Sequence, residues 1–169
     1  MEPTHFAITA VLSLCLIATA ATGQSNEKQS NTQVMDANEK NRVVILKFYG
    51  EMLNNRHTEQ IAEIVSPRYN NAAGAGPDAI RQGAEQLLKA FPDIKWQIEE
   101  IVSDDDKVMV KQRTTGTHLG TFQGHAPSGK AFVTEGFALY KFSEGKIITH
   151  QVMTDRYGFL QQIGVLEKN

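Results

Sequence analysis

Cysteine is nearly missing from this chain of 169 residues, and the single one, Cys15, sits in an N-terminal apolar run. The remainder can form no intramolecular disulfide and can do no thiol chemistry. Clustered Lys and Arg are missing too, and the formal net charge is only -2. Nucleic acid and acidic membrane surfaces are therefore not expected partners, because both select basic patches. No Gly-x-Ser-x-Gly elbow, phosphate loop or dinucleotide fingerprint occurs. His57, His118, His125 and His150 lack the helical or hairpin spacing of zinc ligands. There is no Asn-x-Ser/Thr acceptor for N-glycosylation. Acid/base chemistry on a small molecule, or plain binding, is what this inventory leaves open, with no metal or organic cofactor expected.

Residues Phe6 to Ala21 form an apolar stretch that is short for a membrane span and ends in small residues. It reads as a secretory signal peptide over residues 1–23, with an uncleaved membrane anchor as the rival reading. The expected location is therefore periplasmic or secreted. Residues 24–37 are polar, lack aromatics and read as a disordered linker. Residues 38–169 remain as one domain, large enough to bury a core unaided.

In that domain the apolar period is helical first and two later. Asn38 to Asn54 carries a stripe of Val43, Val44, Leu46, Phe48, Met52 and Leu53. Thr58 caps a short second helix that Ser66-Pro67 stops. Gly76-Pro77-Asp78 opens a third, which closes at Phe91-Pro92. From there Ile94, Trp96, Ile98, Glu100 and Val102 alternate with polar partners, as in a half-buried strand. Further strands are expected over Lys107 to His118, Ala131 to Phe142 and Gly145 to Asp155. The last two are joined by a tight Ser143-Glu144-Gly145-Lys146 hairpin. Arg156 to Ile163 forms a short closing helix. Three helices followed by an antiparallel meander is an α+β order, in which the helices cover one face of a curved sheet and leave a pocket between.

On the last strand, Ile147, Thr149, Gln151, Met153 and Asp155 share one side, and Lys146, Ile148, His150, Val152 and Thr154 the other. The first set is expected on the covered face, which places Asp155 beside the pocket. Burial there would raise its pKa toward that of a general base. The bland reading is a cap for the helix that follows. Gly116, Gly120 and Gly124 mark a strand bending into a loop near another backbone. His118 lies in that loop, on the strand face of Val108, Val110 and Thr114. It could serve a substrate carbonyl or be satisfied by a backbone carbonyl. Phe132, Tyr140 and Phe142 share one face and suit either core or interface.

The blocks GTHLGTFQGHAPSGK, YKFSEGKI and DRYGFLQQIG occur in the order seen in SnoaL-like ester cyclases, and residues Asn38 to Leu166 resemble that family. The resemblance implies an NTF2-like cone, with three N-terminal helices on a strongly curved antiparallel sheet. It implies intramolecular aldol-type cyclisation, or isomerisation, of a carbonyl or ester compound without a cofactor. It makes Asp155 the general acid/base, lets His118 line the pocket, and puts Tyr69, Asn71, Trp96 and Gln151 at the wall. A homodimer through the outer sheet face is a further implication. Two positions depart from the family: Gln151 stands where many relatives have Trp, and Ala72 where many have His. These departures keep a second reading open, an exported binding module for a small hydrophobic or carbonyl ligand. Epoxide hydrolysis ranks last, because it wants an Asp–Arg–Asp relay and Arg113 points away from His118.

Overall fold

A computed structural model describes residues 37–72 and 74–167. The signal-peptide and linker expectations fall on residues before these, apart from Ala37. Helix α1 runs over 37–47 and continues through a wide π turn, Phe48–Asn54. A short helix α2 follows as Thr58–Gln60 and Ile61–Ile64. Then come a two-residue hairpin, β1 (Asn70–Asn71) with β2 (Gly74–Ala75), and helix α3 (Gly76–Ala90). Four long strands complete the body: β3 (Lys95–Asp104), β4 (Lys107–Thr117), β5 (Ala131–Ser143) and β6 (Lys146–Thr154). Helix α4 (Arg156–Gln162) closes it. The strands pair antiparallel in the order β3-β4-β5-β6, and the helices pack on one face of the curved sheet. The α+β cone is as expected.

The face of α1 is set by its π turn. Ile45, Phe48, Tyr49, Met52 and Leu53 are buried, whereas Val43 and Leu46 face solvent, contrary to the expected stripe. Wider winding adds a residue per turn, which brings Phe48 and Tyr49 inward together. Asn54, where the turn ends, grips the edge strand: its Nδ2 donates to Trp96 O (2.8 Å) and its Oδ1 accepts from Trp96 N (3.0 Å).

Two bulges set which strand residues face the helices. In β3, Ile98 pairs with Gln112 but Glu100 pairs with Lys111, so Glu99 is extra. Beyond it the phase flips: Ile101 packs on the core and Val102 is exposed. In β6, Phe142 pairs with Ile147 but Lys141 pairs with Thr149, so Ile148 is extra. A bulge of one residue exchanges the two faces of everything after it. Ile147 stays in the core, and past the bulge the inward set becomes His150, Val152 and Thr154. Phe132, Tyr140 and Phe142 are all core residues.

The glycine-rich segment after β4 turns out to be a clamp on α3. Leu119 N and Gly120 N both donate to Ala90 O, at 3.0 and 2.8 Å, satisfying the helix's C-terminal end. A Cβ on Gly120 would sit 2.1 Å from Lys89 O, so only glycine permits the approach.

Candidate active site

Between the helices and the sheet lies a cavity with two adjoining lobes. The larger, about 310 Å³, is walled by Phe48, Tyr49, Tyr69, Asn71, Tyr140 and His150 among others. The smaller, about 180 Å³, ends in the Phe91, Phe132 and Phe159 cluster. Leu87, Trp96, Gln112 and Val152 line both and mark where they join. Neither lobe has an Asp or Glu in its wall among the described residues. Most of the wall is apolar, with a few polar groups, as small-molecule sites usually are.

His150 is the cavity's only imidazole among those residues. It enters through the second bulge. The Val65–Ser66 segment runs beside β6, with Ser66 N donating to Ile147 O (2.9 Å), and that contact carries the following Tyr69 over the strand. Tyr69 Oη and His150 Nδ1 are 2.7 Å apart. The imidazole stacks with the rings of Tyr69 and Tyr140, at centroid distances of 5.8 and 5.6 Å. Burial lowers the His150 pKa, since the charged imidazolium loses its water. The same cause pushes the Tyr69 hydroxyl up to about 12. At neutral pH the pair is a neutral imidazole and a protonated phenol.

A second polar chain crosses the cavity. Tyr49 Oη donates to Gln112 Oε1, and Tyr140 Oη donates to Tyr49 Oη at 3.0 Å. Burial raises the Tyr49 hydroxyl to about 12, with the bond from Tyr140 opposing. Tyr140 is held well above its ordinary value by burial first and by Tyr49 second. Both phenols stay protonated at neutral pH.

Asp155 departs from the expected placement. It is exposed, lies outside both lobes and caps α4, with Gly158 N donating to its Oδ1 at 2.9 Å. The cause is the Ile148 bulge, which turns residues 149, 151, 153 and 155 away from the helices. For the same reason Gln151 is exposed on the outer face. His118 is fully buried, but against Phe91 and Phe122 rather than at the cavity wall. Its Nδ1 is 3.2 Å from Ser128 Oγ, whose own proton goes to Ile163 O (2.6 Å). His118 therefore ties the 118–130 loop to the end of α4. Tyr69, Asn71 and Trp96 line the cavity. Sequence reasoning missed Tyr49, Gln112, Tyr140 and His150. The adjacent apolar pair Ile147-Ile148 was the available signal, since a strand that alternates cleanly has no such doublet unless its phase changes.

The profile of SnoaL-like polyketide cyclases matches residues 43–163. The chain belongs to this family. Aklanonic acid methyl ester cyclase AcmA of Streptomyces galilaeus is 28% identical over 122 residues, covering 68% of this chain and 84% of that protein. A SnoaL-like protein from Jannaschia sp. CCS1 superposes with a TM-score of 0.71 at 22% identity, covering 77% of this chain and 95% of that one. TsrD from Streptomyces laurentii gives 0.65 at 20%, covering 82% and 98%. At such identities the two structures establish a shared fold, and the SnoaL-like assignment rests on the family profile.

Proposed function

We propose that this SnoaL-like chain is a cofactor-independent acid/base enzyme acting on a small carbonyl or ester compound, with His150 moving the proton. One observation carries the proposal: in a cavity with no carboxylate in its wall among the described residues, the group that titrates nearest neutrality is a buried, neutral imidazole held by Tyr69. In the tautomer that donates Nδ1–H to Tyr69 Oη, the Nε2 lone pair is the base. It takes a proton from the carbon next to a carbonyl, and the C–H electrons move onto that carbonyl oxygen. The enolate carbon then bonds to a second carbonyl of the same molecule. The imidazolium returns its proton to the new alkoxide, so the sum is an isomerisation with no redox change. AcmA, named as a methyl ester cyclase, is a relative for which ring closure of this kind is apt.

Asp155 remains the rival for the same role on the strength of the family resemblance, and its position at the helix cap speaks for structure instead. That no described wall residue is a carboxylate also suits the binding-module reading. Proton exchange separates enzyme from binder: 2-acetylnaphthalene in D2O should gain deuterium at its methyl group faster with the protein than without. No acceleration, with the ketone demonstrably bound, would favour the binding module.

The outer sheet face suits a second copy of the chain. Val102, Met109 and Leu139 stand in one row across three strands, with Phe137 and Met153 paired alongside. All but Leu139 are strongly exposed, Met153 to 75%. Contiguous apolar surface of this kind marks association sites. The N-terminal segment fits export, and both readings extend the proposal rather than support it.

A further inference from the structure

We propose that the groove between α3 and the loop over residues 118–130, outside both lobes, binds the oxyanion of an amphiphilic small molecule, a carboxylate or phosphate, through Lys89 and Arg156. The site is separate from proton transfer by His150 and is tested without it.

The groove encloses about 420 Å³. Gly83, Leu87 and Lys89 come from α3, Phe122 and Gln123 from the loop, and Arg156 from the start of α4. Its form follows from the clamp on α3. Leu119 N and Gly120 N hold the loop on Ala90 O, and Gly120 lies against the Lys89 backbone. Phe122 and His125 then exchange backbone hydrogen bonds of 3.0 and 2.9 Å around Gln123 and Gly124. Both turn residues have positive φ, 49 and 85, as the tightest hairpins require. Arg156 Nη2 donates to Gln123 Oε1 at 2.7 Å, which ties the guanidinium to this hairpin.

Charge gives the groove its selectivity. Lys89 and Arg156 are the charged residues described in its wall, and no described wall residue is acidic. Lys47, Arg81 and Arg113 each have a carboxylate partner. Among the described residues Lys89 and Arg156 have none within ion-pairing distance. Asp155, next to Arg156 in sequence, accepts from Gly158 N at the helix cap instead. A guanidinium carries five N–H donors, so the bond to the neutral Gln123 leaves others for an oxyanion. Leu87 and Phe122 add apolar surface to the same groove, which suits an amphiphile better than a bare ion. Gly83 lines both the groove and the larger lobe, and a Cβ there would meet nothing within 4 Å. Glycine inside a helix is unfavourable, and here it leaves α3 without a side chain where groove and lobe adjoin.

The test compares 2-naphthylacetate with the neutral 2-naphthylacetamide by calorimetry on the full chain. The carboxylate should bind about tenfold tighter, the scale of two exposed charge contacts. Raising salt to about 1 M, where the screening length is about 3 Å, should remove that preference. Lys89→Gln and Arg156→Gln should each cut it about threefold, and the double variant should bring it to unity with amide affinity held. Lys95→Gln removes the same charge outside the groove and should leave the preference intact. A merely structural role for either residue would weaken both compounds alike and keep their ratio. Displacement of the carboxylate by 2-acetylnaphthalene would show the anion to be one end of a ligand reaching past Gly83 into the lobe. Joint binding would show a ligand held wholly in the groove, and either result keeps the site. No preference in the wild-type chain, a preference that survives in the double variant, or no binding of either compound would overturn the proposal. None of these outcomes bears on deuterium exchange at His150.

Discussion

Tyr69 Oη and His150 Nδ1, 2.7 Å apart, join a loop to the last strand inside an apolar cavity. Neither ring would be there without the extra residue in β6, which turns His150 inward, and the Ser66–Ile147 contact, which brings Tyr69 over it. The pair links a local irregularity in a strand to the chemistry available in the site.

Its titration gives a pH dependence whose sign can be worked out. The folded-state pKa of His150 lies below its ordinary value of 6.5 because the imidazolium is desolvated. Between those two values the unfolded chain binds more protons than the folded one, so stability rises with pH. The contribution is complete above about 6.5 and is lost as pH falls through the lowered value. Activity should follow the same limb: absent in acid, rising through a midpoint below 6.5, then flat through neutrality. Urea denaturation and exchange rates measured from pH 4 to 8 check both limbs; a midpoint at or above 6.5 would contradict the buried, neutral imidazole.

Asp155→Ala should cost about 1 kcal/mol of stability, the usual loss for removing a helix N-cap. The effect comes from the Gly158 N–H left without its side-chain acceptor. Asp155→Ser, which can cap, should recover most of it. Equal stability of the alanine and serine variants in chemical denaturation would show that the cap contributes nothing.

Gly120→Ala should be more damaging than a surface substitution, because the new methyl would meet Lys89 O at 2.1 Å. The clamp on the end of α3 must then open, at about 1–3 kcal/mol. Gly124→Ala, at a position with φ +85 but open space around it, tests strain without collision. Thermal melts should rank Gly120→Ala as the lower of the two.

Phe137→Lys places a charge in the middle of the exposed apolar rows on the outer sheet face. Light scattering should find the wild-type chain dimeric and the variant monomeric, with ketone binding retained. A monomeric wild-type chain at micromolar concentration would remove the outer face as an interface.

Much of the architecture was legible because it follows from apolar period and punctuation. Gly76-Pro77 at the start of α3, the Glu144-Gly145 turn and the clean alternation of β4 were all readable from local rules. The site was less so, for a definite reason. Period-two reasoning carries a strand's phase from one end to the other, and a single extra residue reverses it. Ile148 did this in β6, exchanging Asp155 and Gln151 for His150 and Val152 at the cavity. Glu99 did the same in β3 for Val102 and Ile101. Tyr69, Asn71 and Trp96 precede or avoid those bulges, and they line the cavity. The Tyr49–Gln112 bond joins residues far apart in the chain, and no local pattern announces it.

The most direct test is the deuterium exchange of 2-acetylnaphthalene measured side by side for His150→Phe and Asp155→Asn. Phenylalanine keeps a ring against Tyr69 and Tyr140 and removes the base; asparagine keeps a capping oxygen and removes the carboxylate. The account predicts that His150→Phe loses about 100-fold or more, the usual scale of general base catalysis, while Asp155→Asn stays near the wild-type rate. The reverse order, with exchange surviving in His150→Phe and lost in Asp155→Asn, would return the proton-transfer role to the helix cap and contradict the account.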